Sequence, residues 1–228
     1  MTGSTNLRLA SSHLEDLAYI ALSARADGDG FTLYPDIDDA MRVRLRSRIK
    51  QLGRYDWPSS MREDPAFRRG CTLRQCYRLV TALLLLDAQM PPAFVVVLAQ
   101  NNEFTFLQAV AGRLREPSAV KPTASDLIAV VLPGEIREAL GFPDWPDVEG
   151  GRLRLVERQH LSMVWAGDLE GPGARVMIDM TTVGATVWRW ISGRRLMDDT
   201  ARLALLAEID RRSPDDGYAP IAEKRFRR

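Results

Sequence analysis

The stretch Met41-Arg42-Val43-Arg44-Leu45-Arg46-Ser47-Arg48-Ile49-Lys50-Gln51-Leu52-Gly53 decides how the chain is read. Ile37, Met41, Leu45, Ile49 and Leu52 are spaced four, four, four and three apart. That is a single helical stripe, and Gly53 supplies a C-terminal stop. Met41, Val43 and Leu45 also alternate with the arginines, as a strand would require. The helical pattern covers sixteen residues and the alternation about ten, so a helix is expected. On it Arg42, Arg46 and Lys50 stack at i, i+4 and i+8, with Arg44 and Arg48 beside them.

Charge is distributed unevenly around this helix. Of 228 residues, 31 are basic and 30 acidic, a formal net charge of +1. Residues 1–40 carry two basic and seven acidic side chains. Residues 41–78 carry eleven basic side chains against Asp56, Glu63 and Asp64, a net of +8. The eleven are Arg42, Arg44, Arg46, Arg48, Lys50, Arg54, Arg62, Arg68, Arg69, Arg74 and Arg78. If they form one continuous surface, its field would attract a polyanion. The alternative is an arginine-rich surface neutralised in the fold by acidic neighbours.

Upstream, Ser12-His13-Leu14-Glu15 fits a capping box, and Leu14, Leu17, Ala18, Ala21 and Leu22 continue it as a helix to about Ala26. Asp27-Gly28-Asp29-Gly30 is turn chemistry. Downstream, Arg54 to Cys71 holds Pro58, Pro65 and Gly70 without periodicity and reads as loop or short hairpin. Thr72-Leu73-Arg74-Gln75 is a second capping box, opening a helix through Leu73, Cys76, Tyr77, Val80, Leu83 and Leu84. After Pro91-Pro92 an apolar stripe from Phe94 to about Arg115 predicts one long helix, with Val95-Val96-Val97 arguing for a strand. Glu116 to Thr123 reads as a linker. Ser125 to Leu140 is helix-like, and Arg152 to Trp165 with Ala174 to Met180 predicts a β-hairpin around the Gly167–Gly173 tip. Helices follow over Thr182–Ile191 and Asp199–Arg212. Trp188 and Trp190 are two apart, so one of them is expected to face outward.

The order of these elements is that of a winged helix-turn-helix, and Met41 to about Leu114 resembles the MerR-type regulators. Leu45-Arg46 and Gly53 stand where that family's recognition helix lies, Arg68-Arg69-Gly70 in its wing, and Thr72-Leu73-Arg74-Gln75 at the opening of its third helix. The family's paired tyrosines are replaced by Ser47 and Arg48, and no long coiled-coil dimerisation helix follows. The resemblance implies a duplex-DNA reader. Arg42, Arg44, Arg46 and Arg48 would meet base edges, since guanidinium pairs bidentately with guanine. Lys50, Arg54, Arg62, Arg68, Arg69 and Arg74 complete the expected DNA-binding set, with the loop and helix-opening cations on phosphates.

Enzyme chemistry is not visible in the sequence. Cys71 and Cys76 have no histidine near them in sequence, Cys76 falls on an apolar helix face, His13 in a first helical turn has no chemical partner nearby, and His160 in a strand-like segment reads as a satisfied or exposed histidine. Nucleophile elbows, phosphate-cradling loops and dinucleotide fingerprints are absent, so no cofactor and no metal are expected. Two cysteines, no apolar leader over Met1 to Arg8, and apolar runs too short for a bilayer suggest a cytoplasmic, nucleoid-associated protein.

The expected fold is therefore α+β, mainly α. A winged helix-turn-helix over 1–115 precedes a smaller α+β domain over 124–212 and a flexible tail over 213–228. The expected function is a DNA-binding transcriptional regulator acting as a homodimer, with a protein partner open to the C-terminal domain. The other class considered is a non-enzymatic adaptor or phage-type interaction protein whose basic face meets an acidic partner.

Overall fold

The computed structural model describes residues 7–23, 25–27, 30–32, 37–60, 62–117, 122–131, 153–162 and 176–211. These residues are mainly helical with small antiparallel sheets. A short strand β1 (Arg8–Leu9) leads through a 3-10 turn (Ser11–His13) into α1 (Leu14–Ser23). The capping box expected at Ser12 does not form. His13 N–H bonds the Ala10 carbonyl at 3.0 Å, and the Glu15 carboxylate is taken by Arg46 instead. The helix stops three residues earlier than expected because Arg25–Asp27 (β2) pairs antiparallel with Gly30–Thr32 (β3) in the register Ala26↔Phe31.

Helix α2 spans Asp39–Gly53, and the strand alternative for this stretch is excluded. Asp38 caps it, its Oδ1 accepting from Met41 N–H at 2.6 Å. Leu45 and Leu52 are buried, while Ile37, Met41 and Ile49 pack partly against the core. The following stretch is turn and loop with a 3-10 turn at Phe67–Arg69, and its described residues form no strand pair. It is closed by β4 (Cys71–Thr72), which pairs antiparallel with β1 in the register Leu9↔Cys71. Gly70 makes that closure possible. Its φ is +135°, and a Cβ there would lie 2.4 Å from the Leu9 carbonyl oxygen.

Helix α3 (Leu73–Asp87) opens on the capping box its sequence predicts. Gln75 N–H donates to Thr72 Oγ1 at 3.3 Å, and Thr72 N–H donates to Gln75 Oε1 at 2.8 Å. It is buried on nearly all sides and forms the centre of the molecule. The single long helix expected next is two, α4 (Pro92–Asn101) and α5 (Glu103–Arg115). Asn102 ends one and starts the other, its Nδ2 donating to the Leu98 carbonyl at 2.9 Å. A side chain that competes for backbone groups in this way favours helix ends over interiors.

The part of Ser125–Leu140 that is described contains a strand, not a helix: β5 (Leu127–Val131). It sits at the centre of a sheet ordered β6-β5-β7, with β6 (Leu153–Glu157) and β7 (Val176–Ile178) both antiparallel to it. The expected β-hairpin is therefore corrected, because its two strands lie on opposite sides of β5. Residues 132–152 and the Gly167–Gly173 tip, with Trp145 and Trp165, lie outside the described residues. A central strand covered on both faces is apolar throughout, which periodicity alone does not separate from a buried helix.

Helices α6 (Met180–Gly193) and α7 (Asp199–Arg211) complete the described chain. Helix α6 lies against α5, α1 and β5, and α7 against α5 and α3. Trp188 and Trp190 are both buried, contrary to the expectation that one faces outward, because α6 is covered on several sides. Gly184 lets α6 approach α5 so closely that a Cβ there would lie 2.7 Å from Val110 Cγ1. One buried cluster joins Leu17 of α1 to Ile209 of α7. The connection read as a linker thus joins two halves with a common core. Among the described residues no helix is long and apolar enough to cross a membrane.

Candidate nucleic-acid interface

The arginine ladder is not one surface. The side of α2 nearest α1 is neutralised by two consecutive acids. Arg42 NH1 lies 2.8 Å from Asp16 Oδ1, and Arg46 grips Glu15 through Nε at 2.6 Å and NH2 at 3.1 Å. The hydrogen bond from Arg46 holds the Glu15 carboxyl below the usual glutamate range, against a smaller opposing effect of burial. Arg48 pairs with Asp87 at the end of α3 at 3.0 Å. Two of the four expected base readers, Arg42 and Arg46, are thus braces between α1 and α2, and a third ties α2 to α3.

Two further cations are structural. Arg74 binds Glu103 bidentately at 2.6 and 2.7 Å, also meets Glu208 of α7, and lies 5.1 Å from the centre of the Phe104 ring. Arg74 therefore points to α5 and α7, where the resemblance implied a phosphate contact. Arg78 is buried, stacks 4.2 Å from the Trp57 ring centre and reaches Glu63 at 3.1 Å.

Two of the three acids of the basic loop, Glu63 and Asp64, are also committed. Asp64 accepts from Arg8 at 2.8 and 3.2 Å, from Gln75 Nε2 at 2.8 Å and from Ala66 N–H at 3.0 Å. These bonds, that from Arg8 foremost, hold its carboxyl below the usual aspartate range. Arg8 also donates to the Gly70 carbonyl at 2.9 Å, so the loop is pinned at both ends of its second half.

Arg44, Lys50, Arg54, Arg62 and Arg69 are exposed, with no ion pair to an acid among the described residues. The side chain of Arg68 lies outside the described residues. At 100° per residue, Val43, Arg44, Ser47, Lys50, Gln51 and Arg54 occupy about a third of the helix circumference. All six are exposed and none is acidic. Arg44 and Arg54 are ten residues apart, about 15 Å along the axis.

Among the described residues no catalytic constellation accompanies this arc. Both thiols are buried, and burial pushes Cys71 up to about 12 and Cys76 well above its ordinary value. Such thiols are poor nucleophiles. His13 sits edge-on to Trp190, 6.5 Å between ring centres. Among the described residues no group of three or more His, Cys, Asp or Glu could hold a metal ion. The alternative of acidic neighbours holds for Arg42 and Arg46, although sequence reasoning did not single out Glu15 and Asp16 as the partners. The concentration of seven acids in the first forty residues was the available signal. Compared with protein-family models, curated proteins and solved structures, the chain has no significant match.

Proposed function

We propose that this protein is a non-enzymatic DNA-binding regulator that meets the duplex with the outward arc of α2 and the pinned loop behind it. Arg44, Lys50, Arg54, Arg62 and Arg69 form its cationic set, and Arg42, Arg46 and Arg74 hold the scaffold. The observation that carries this reading is the exposed arc from Val43 to Arg54, along α2 and its C-cap, which bears three cations, with Asp39 of the first turn at its edge. The β1–β4 pair supports the winged-helix reading, because it anchors the end of the basic loop beside the strand that precedes α1. Homodimerisation would supply two half-sites, the usual way small readers gain affinity.

Five phosphate contacts give a slope of log K against log salt of about −4.5, so affinity should fall about 500-fold between 50 and 200 mM salt. Fluorescence anisotropy of a labelled duplex measures this. Replacing Arg44, Lys50 and Arg54 by alanine should flatten the slope by about 2.7 and leave the melting temperature almost unchanged. Equal binding by that variant and the parent chain would refute the reading.

A second reading rests on Val43 and Tyr55, 63% and 45% exposed beside these cations. Apolar and aromatic groups among arginines also suit an acidic protein surface. Absence of DNA binding at physiological salt would favour that reading.

A further inference from the structure

An open cleft of about 380 Å³ lies between the lead-in to β1, the loop after α2, the first turns of α3 and α7. This volume is within the range of small-molecule sites. Leu7, Leu73, Ala201 and Leu205 give it an apolar wall, and Glu63, Asp64, Arg74, Arg78 and Glu208 give it charge.

The charges around the cleft form one connected network. Arg8 pairs with Asp64, Arg74 with Glu103 and Glu208, and Arg78 with Glu63 and Glu103. Three guanidiniums thus face four carboxylates, leaving one negative charge in a half-buried setting. A cleft with an acidic excess raises the local concentration of cations, which favours a monocation as its ligand. At Arg74 an anion would have to displace carboxylates already bound. Glu63, with a side chain 53% exposed, and Glu208, 29% exposed, retain acceptor capacity at the cleft.

We propose that this cleft binds a small organic monocation, a primary amine or guanidine on an apolar body. Its charged end is held by Glu63 and Glu208, and its body lies along Leu7, Leu73, Ala201 and Leu205. The site does not depend on the DNA-binding reading, although Glu63 shares its loop with Arg62.

The test is calorimetric titration of the full chain, without DNA and at fixed ionic strength, with n-hexylammonium, n-hexanol and hexanoate. Hexylammonium should bind saturably, one per chain, at least about tenfold tighter than hexanol, because it gains charge-assisted hydrogen bonds. Hexanoate should bind more weakly still. Glu63→Gln and Glu208→Gln should each weaken hexylammonium about tenfold. Ala204→Trp, which fills the mouth while removing no ion pair, should abolish binding in a chain whose melting is unchanged. The proposal is overturned if hexanol or hexanoate binds as tightly as hexylammonium, or if saturable hexylammonium binding is absent. It is equally overturned if both glutamine variants bind hexylammonium as tightly as the parent chain, or if hexylammonium still binds Ala204→Trp.

Discussion

Neutralising the two acids of α1 separates the cations that serve the fold from those that serve a ligand. Glu15→Gln with Asp16→Asn keeps the shape of both side chains but removes the charges that occupy Arg46 and Arg42. The arginine side chains are 54% and 35% exposed, so the fold should survive the change. Two guanidiniums beside the outward arc then become available to phosphate. Each adds about 0.9 to the salt slope, taking it from about −4.5 to about −6.3. Over a fourfold rise in salt the double variant should lose about 12-fold more affinity than the parent chain, and it should bind more tightly at the low-salt end. Acid is no substitute for the mutation. The Glu15 carboxyl is held low by Arg46, so the pair is complete above the ordinary glutamate range and opens only as pH falls through the lowered value. Anisotropy titrations with a labelled duplex supply the measurement. A control chain carrying Asp210→Asn and Glu116→Gln makes the same change in net charge outside the basic segment. An unchanged slope in the α1 variant, or an equal change in the control, would refute the division of the ladder.

Other expectations concern the scaffold. Asp126 and Arg113 form a buried pair, 5% and 7% exposed, with Arg113 NH2 at 2.9 and 2.8 Å from the carboxylate oxygens. Asp126→Ala should cost about 3–5 kcal/mol in urea unfolding, because it breaks a buried ion pair by removing one partner. Burial raises the Asp126 carboxyl, but hydrogen bonds from Arg113 and Thr123 bring it below the ordinary aspartate range overall. Its contribution is therefore present above that range and lost as pH falls through the lowered value, and Asp126→Asn should flatten stability against pH in acid. Gly184→Ala places a methyl 2.7 Å from Val110 Cγ1 and should destabilise by about 1–3 kcal/mol. Adding Val110→Ala should restore part of that loss in thermal unfolding, and no recovery would place the strain elsewhere. Gly70→Ala, at φ +135° and 2.4 Å from the Leu9 carbonyl, should open the β1–β4 pair. Faster amide exchange at residues 8, 9, 71 and 72 would show it.

Much of the helical framework was legible locally. The stripe from Ile37 to Leu52 defined α2, Thr72 and Gln75 marked the start of α3, and Pro92 marked α4. These signals act within one or two turns of the chain, where spacing and caps set the outcome. The same four-residue motif at Ser12 gave no capping box, because Glu15 found a stronger partner 31 residues away. Leu127–Val131 became a strand through β6 and β7, which no local pattern specifies. The basic segment shows the division most clearly. Its charge and helical register are properties of the sequence alone. Which cations reach solvent was decided when α1 packed on α2 and α7 on α3, because an ion pair depends on distance in space and not on separation along the chain.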